Sequence, residues 1–163
     1  MNLTPTSNYA LRTIEPSSSE QTPSSELLIS GTPTGKVLDG AVLEAALLWG
    51  DLSLLFITDD VPFEEGLRIV LLDKDFNTLD SALLVAMYST GVFSHLDLSE
   101  ADTVRFRFFR GLLYTLTLLP QASFALPFFS DPSAVWRRFK WTRRFRLDAQ
   151  PLPLPEAEAP PPQ

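Results

Sequence analysis

Residues 104–108 carry the clearest alternation of apolar and polar side chains in this chain. Val104, Phe106 and Phe108 alternate there with Arg105 and Arg107. Successive side chains of a β-strand point to opposite faces of the sheet. The pattern therefore predicts a strand with one face in the core and the other in water.

A second alternation follows directly and predicts the partner strand of a hairpin. Apolar and threonine residues alternate along it, namely Tyr114, Thr115, Leu116, Thr117 and Leu118. The pair Arg110-Gly111 lies between the two strands and suits a two-residue turn. Because proline has no N–H to donate to a sheet, we expect Pro120 to end the second strand.

Two earlier apolar runs, at 52–58 and 67–72, have the length of strands. Pro62 and Gly66 interrupt the polar segment between them, which is typical of a loop. The second run continues through the turn-rich segment DKDFNT at 73–78 into a further apolar run at 79–88, and this arrangement predicts another hairpin. A weaker apolar run ends at Leu98.

Two segments allow more than one secondary structure. Residues 39–49 fit a short helix with Asp39 as its N-cap, or a strand that turns at Gly50, and the strand is slightly favoured. Asp131-Pro132 resembles an N-cap followed by proline in the first helical turn. We therefore expect one or two helical turns over SAVWRRF at 133–139, followed by extended chain.

Together these elements predict an all-β domain over residues 37–147. About seven or eight short strands without regular intervening helices favour an antiparallel β-sandwich or barrel, with at most one short helix. Residues 1–36 are rich in Ser, Thr and Pro and predict a flexible, disordered arm, in which only the apolar residues 27–29 suit docking as an added edge strand or as a ligand for another protein. Residues 148–163 predict a disordered proline-rich tail.

Composition narrows the class of protein. The chain of 163 residues is 45% hydrophobic and has no cysteine, which excludes disulfides, thiolate catalysis and cysteine-ligated metal sites. The first twenty residues lack the basic start and apolar core of a secretory signal. No apolar run reaches the roughly 18 residues of a membrane span. We therefore expect a soluble cytoplasmic protein without a cofactor.

Charge is divided unevenly along the chain. Residues 1–102 carry sixteen carboxylates and four basic groups, a net charge of −12, whereas residues 103–146 carry nine basic groups and one carboxylate, a net charge of +8. Such a division means that the basic part meets negative charge, either in its own fold or on a partner.

Candidate metal and phosphate sites are weak. Asp73, Asp75, Asn77 and Asp80 begin with the spacing of a calcium-binding EF-hand loop, but Thr78 replaces its glycine and Leu84 its bidentate glutamate. We expect these side chains to satisfy the backbone of their own hairpin. The segment GTPTGKV at 31–37 has one residue too few between its glycines for a phosphate-binding loop.

Catalytic groups are equally sparse. His95 is the only histidine, and a strand would direct it away from its neighbour Ser94, which argues against a Ser-His-Asp site with Asp97. The carboxylate pairs at 59–60 and 64–65 lie in a loop where solvation is expected.

The segment VWRRFKWTRRFRL at 135–147 is the strongest candidate site. Six basic residues alternate there with aromatic residues, a combination that suits phosphate contacts with base stacking or contact with an acidic protein. The alternative is a purely structural amphipathic strand, the last of the fold, whose aromatic residues face the core. The predicted partner-binding residues are Trp136, Arg137, Arg138, Lys140, Trp141, Arg143, Arg144 and Arg146.

We therefore expect a non-catalytic binding or accessory protein that contacts another, acidic protein through this segment. Nucleic-acid binding through the same segment, extended by Arg105 and Arg107, is the first alternative. The acidic residues upstream and the pI near 4.6 argue against it, since both repel a polyanion. A calcium-dependent or carboxylate-based enzyme is the second alternative.

Overall fold

The computed structural model describes residues 1–61, 65–126 and 131–153. Within these ranges the chain forms strands but no helix, and every strand pair is antiparallel, so the predicted all-β class is confirmed. The same ranges contain no helix that could cross a membrane. The strands are β1 (Thr4–Pro5), β2 (Tyr9–Glu15), β3 (Ser24–Ile29), β4 (Thr32–Asp39), β5 (Val42–Trp49), β6 (Leu52–Thr58), β7 (Leu67–Leu72), β8 (Thr78–Leu84), β9 (Ser94–Asp97), β10 (Thr103–Arg107), β11 (Leu112–Phe124), β12 (Val135–Trp136) and β13 (Thr142–Pro151).

The strands form three sheets. The central sheet has six strands in the order β1-β5-β6-β7-β8-β12, and β5 to β8 follow one another as a meander. The C-terminal sheet has the order β13-β11-β10-β9, and the N-terminal sheet has the order β2-β3-β4. The fold is thus a sandwich of sheets.

The central sheet is buried on both faces. On one face, Phe56 and Ile69 share a core with Phe106 of the C-terminal sheet. On the opposite face, Leu55 shares a second core with Leu27 of the N-terminal sheet. Because successive side chains point to opposite faces, a strand that is covered on both sides must be apolar at nearly every position, as β6 and β7 are. By contrast, β10 alternates because only one of its faces is buried.

Residues 1–36, predicted to be a flexible arm, instead contain β1 to β3 and the start of β4. The apolar residues at 27–29 belong to β3, which is the middle strand of the N-terminal sheet and not an added edge strand. Leu27 is fully buried, and Tyr9 and Leu11 pack beside it. A few buried apolar residues suffice because only one face of this sheet is covered. The other face carries Arg12 and Glu26 together with the exposed Val37. The number of strands therefore exceeds the predicted seven or eight.

The hairpin predicted around Arg110-Gly111 is confirmed. β10 pairs with β11 over its whole length without a register shift. The N–H of Leu112 donates to the C=O of Phe109 at 3.3 Å, so Arg110 and Gly111 are the central residues of the turn. The φ angle of Gly111 is +77°, a value that glycine adopts without strain.

The prediction that Pro120 ends the second strand of this hairpin is wrong. β11 continues to Phe124 and pairs with β13 on both sides of a register shift between Leu118 and Ser123. Pro120 lies inside this irregularity, where its missing N–H interrupts no regular ladder. The extension places Phe124 opposite Thr142 at the start of β13.

The remaining predictions from the sequence agree with the structure in part. β6 and β7 coincide with the predicted strands, β7 and β8 form the predicted hairpin, and residues 42–49 form the favoured strand. The helical turns expected at 133–139 are not formed, because Val135 and Trp136 pair with the open edge of β8. β13 extends to Pro151, into the predicted tail, and residues 154–163 of that tail lie outside the described residues.

Candidate functional site

The predicted partner-binding segment connects two sheets. Trp136 ends β12 at the edge of the central sheet, and Thr142 begins β13 at the edge of the C-terminal sheet. Residues 137–141 cross between these layers. The predicted site residues on this segment fall into a buried set and an exposed set, which have different chemistry.

The buried set consists of Arg137 and Arg143, which lie beside Asp80. Nη2 of Arg137 donates to Oδ2 of Asp80 at 2.6 Å, and only 2% of either side chain is exposed. Nη1 of Arg143 lies 3.6 Å from Oδ1 of Asp80. Nη1 of Arg137 also donates to Oδ1 of Asp131 at 3.2 Å. We call Asp80, Asp131, Arg137 and Arg143 the buried ion cluster.

Further contacts fix the buried ion cluster between the layers. Oδ2 of Asp80 accepts the backbone N–H of Arg144 at 2.8 Å. Nη1 of Arg137 donates to the C=O of Phe145 at 3.1 Å, and its guanidinium lies 4.2 Å from the centroid of the Phe145 ring. Burial lowers the pKa of Arg143, and repulsion from Arg137 lowers it further. Since β8 supplies Asp80 and β13 supplies Arg143 and Phe145, the cluster joins the central and C-terminal sheets.

The exposed set carries most of the aromatic surface of the segment. The exposed fractions are 66% for Phe124, 68% for Trp136, 60% for Phe139 and 56% for Trp141. The Phe124 and Trp141 rings stack with their centroids 6.1 Å apart at an interplanar angle of 8°. The Phe139 and Trp141 rings meet edge to face at 5.3 Å. The exposed aromatic surface, as we call it, comprises Phe124, Trp136, Arg138, Phe139, Lys140 and Trp141.

Sequence reasoning missed Phe124, because the strand was expected to end at Pro120. The aromatic residue four positions after that proline was the available signal.

The two remaining predicted arginines differ from each other. Arg144 donates through Nε and Nη2 to the C=O groups of Leu119 and Pro120, at 3.4 and 3.3 Å, whereas Arg146 is exposed.

A cleft of about 730 Å³ lies beside the exposed aromatic surface. Residues from β4, β7, β8 and the segment 136–143 line it. The charged side chains in this lining are Lys36, Arg68, Arg137, Arg138, Lys140, Arg143, Asp39 and Asp80. Arg68 pairs with Asp59, and Arg137 and Arg143 pair with Asp80. The basic character of the cleft therefore comes from Lys36, Arg138 and Lys140 against Asp39, although the whole chain carries a net charge of −7.

The structure joins Asp73 and Asn77 by side-chain hydrogen bonds but does not bring all four weak calcium ligands together. Oδ1 of Asp73 accepts the backbone N–H groups of Asp75 at 2.8 Å and Asn77 at 2.9 Å. Hydrogen bonds from Asn77 lower the pKa of Asp73. Asp80 instead belongs to the buried ion cluster. The described ranges contain no group of three or more acidic or histidine side chains arranged to hold a metal ion.

His95 and Ser94 are closer than the sequence suggests. A φ angle of 55° at His95 departs from regular strand geometry, and its Nδ1 lies 2.9 Å from Oγ of Ser94. The prediction that their side chains diverge is therefore wrong. Both residues are on the surface, and the Asp97 carboxylate instead accepts the N–H of Ser99 and lies 3.8 Å from Arg105.

The loop carboxylates also have local roles. Nε of Arg68 donates to Oδ1 of Asp59 at 3.2 Å, and Oε1 of Glu65 accepts the N–H groups of Asp59 and Asp60 at 2.6 and 2.9 Å. Burial raises the pKa values of both Asp59 and Glu65. Glu64 lies outside the described residues.

The arginines of the alternating strand are only partly available to a polyanion. Arg105 forms ion pairs with Glu100 and Asp97. Nε of Arg107 is buried without a hydrogen-bond partner in the part of the chain that the structure describes.

Comparison of the chain with protein-family models, curated proteins and solved structures finds no match to any of them.

Proposed function

We propose that this chain is a non-catalytic accessory protein that binds an acidic protein partner through the exposed aromatic surface. The observation that carries this proposal is the ring contact of Trp141 with both Phe124 and Phe139. These three rings and Trp136 are each more than half exposed, and Arg138 and Lys140 lie on the same segment. Protein interfaces are enriched in aromatic residues and arginine, and a few such residues supply most of the binding free energy.

The charges beside these rings favour an acidic partner. In the described ranges, no carboxylate lies within ion-pair distance of Arg138, Lys140 or Arg146. Arg137 and Arg143, by contrast, are already paired within the buried ion cluster. The charge available for a partner is therefore smaller than the sequence count of +8. Complementary charge on the partner would speed association and select the correct orientation.

Affinity purification with the full chain as bait, followed by a single substitution, tests the proposal. Trp141→Ser removes the ring that contacts both Phe124 and Phe139, and we expect about a tenfold or greater loss of affinity for the captured partner. Tyr88→Ser is the matched control, because Tyr88 is an aromatic residue outside this surface and is 89% exposed. Equal retention of the partner by both variants would contradict the proposal.

The lysines allow a direct test of partner chemistry. The chain has three, Lys36, Lys74 and Lys140. A carbodiimide joins a lysine amine to a carboxylate without a spacer, so an acidic partner should cross-link at Lys140. Lys74 lies in the β7–β8 turn and serves as the internal control. Cross-links at Lys74 alone would place the partner elsewhere.

Nucleic-acid binding remains the second candidate function, because stacked, exposed rings beside cations also suit unpaired bases. A gel shift with a single-stranded oligonucleotide distinguishes the two. Nucleic-acid binding predicts affinity that falls steeply as salt is added, and loss of that affinity in Trp141→Ser. The absence of a shift at low salt would remove this candidate.

A further inference from the structure

The basic cleft has an open strand edge as one wall. Residues 36–39 of β4 line it on one side, β7 and β8 line it from the central sheet, and the segment 136–143 closes the other side. β4 is the last strand of the N-terminal sheet, and within the described ranges it pairs only with β3. An edge strand of this kind can accept an extended peptide as a new neighbour.

The register shows which backbone groups of β4 face outward. The N–H of Gly40 donates to the C=O of Pro23 at 2.7 Å, and Leu38 lies opposite Ser25. Backbone groups alternate in direction along a strand, so those of Val37 and Asp39 point away from β3. Side chains alternate with the same period but perpendicular to the sheet, and the Val37 side chain is exposed whereas the Leu38 side chain is buried.

The positive charge of the cleft comes from both of its walls. Nζ of Lys36 donates to Oγ1 of Thr78 at 3.0 Å, and Nζ of Lys140 donates to the C=O of Leu79 at 3.2 Å. Both acceptors are neutral, so these hydrogen bonds position the amines without cancelling their charge. An occupant between the walls would therefore meet a lysine amine on each side, with Asp39 as the exposed carboxylate of the lining.

We propose that the cleft takes an extended acidic segment of the protein partner, which adds to β4 as a fourth strand of the N-terminal sheet. Its backbone pairs with Val37 and Asp39, while its carboxylates lie near Lys36 and Lys140. The cleft volume of about 730 Å³ is within the range of known binding clefts. This inference rests on the proposed function, since the same partner covers the exposed aromatic surface.

A synthetic peptide tests the inference on the full chain. The probe is a short fluorescein-labelled peptide of alternating Glu and Val residues, and its binding is followed by fluorescence anisotropy. A second peptide carries N-methyl groups on the backbone of alternate residues, which keeps its charge but prevents strand pairing. A third has Lys in place of Glu. We expect both controls to bind at least about tenfold more weakly than the probe.

Variants of Val37 test the same contact from the protein side. Val37→Pro removes an outward N–H that takes no part in pairing with β3, whereas Val37→Thr keeps it. We expect about tenfold weaker peptide binding for the proline variant and unchanged binding for the threonine variant. If Val37→Pro also lowers the melting temperature, the N-methylated peptide becomes the deciding test of strand pairing, because it leaves the protein unchanged.

Acetylation of lysines then locates the bound peptide. Protection of Lys36 and Lys140 but not Lys74 supports the inference, and protection of Lys74 alone overturns it. Equal affinity for the N-methylated probe, or no binding of the probe, also overturns it. An oligonucleotide that protects the same lysines when the peptide does not is a further contrary result. Trp141 does not line the cleft. If the peptide tests fail while Trp141→Ser still weakens partner binding, strand addition is overturned but the proposed function is not.

Discussion

Replacement of Asp80 by Asn tests whether the buried ion cluster holds the central and C-terminal sheets together. The change keeps the shape of the side chain but removes its negative charge. Asp80 accepts hydrogen bonds from Arg137 at 2.6 Å, from the N–H of Arg144 at 2.8 Å and from the N–H of Ser81 at 2.9 Å. In Asp80→Asn both arginines would remain buried. Within the described part of the chain, Arg137 would keep Asp131 as its only carboxylate within ion-pair distance, and Arg143 would have none.

The expected loss is large relative to the stability of a small domain. Removal of one partner from a buried ion pair costs about 3–5 kcal/mol, because the remaining charge stays out of water. Domains are stable by only about 5–15 kcal/mol in total. For a chain of this size the loss corresponds to a fall in melting temperature of about 10 °C. In an Arg143→Met background the cost should be smaller, since one fewer guanidinium is left uncompensated.

Urea unfolding, followed by tryptophan fluorescence, measures this loss. Asp75→Asn is the matched control, because Asp75 is an exposed carboxylate in the β7–β8 turn, where the same substitution should change stability by less than about 0.5 kcal/mol. A loss below about 1 kcal/mol in Asp80→Asn would refute the reasoning. It would mean that packing alone, without the ion cluster, holds β13 against β8.

Three further predictions concern buried groups and backbone strain, and each is measured by chemical denaturation. The Tyr114 hydroxyl is buried without a hydrogen-bond partner in the described ranges, so Tyr114→Phe should stabilise the fold by about 1 kcal/mol, whereas Tyr9→Phe, which breaks a 2.7 Å hydroxyl bond, should destabilise it by a similar amount. Burial raises the pKa of Tyr114 from 10.0 to about 12. The folded state therefore holds this proton where the unfolded state releases it, so stability should fall between pH 10 and about 12 in the native chain, and this component should be absent in Tyr114→Phe. Gly40→Ala combines a φ of +116° with a Cβ 2.3 Å from Cγ2 of Ile57 and should cost more than about 2 kcal/mol, whereas Gly111→Ala, with open space around it, should cost about 1 kcal/mol. Equal losses at the two glycines would contradict the steric argument.

The elements that were predictable from the sequence have a local signal. The alternation at 104–108 identifies β10 because one face is buried and the other is not. β6 and β7 were located correctly, but their unbroken apolar character also meant that both faces are covered. An isolated pair of sheets covers only one face of each. The runs at 52–58 and 67–72 therefore already indicated a third layer.

The N-terminal sheet and the division of the candidate site were not predictable in the same way. The strands of that sheet carry Ser, Thr and Pro with few apolar anchors, and a composition of this kind also fits a flexible arm. Arg137 and Arg138 are neighbours of the same type, yet one is buried and the other exposed. The difference arises from Asp80, which is 57 residues from Arg137 along the chain, and no local pattern records that contact.

The double burial of the central sheet has a consequence for folding during synthesis. Residues 1–84 supply the N-terminal sheet and β5 to β8 before the C-terminal sheet exists. Until residues 103–151 leave the ribosome, the face that carries Leu47, Phe56 and Ile69 has no cover. Exposed apolar strands associate readily with other chains. We therefore expect that the first eight strands do not form an independent folding unit, and that the C-terminal sheet protects them from aggregation as well as carrying part of the exposed aromatic surface.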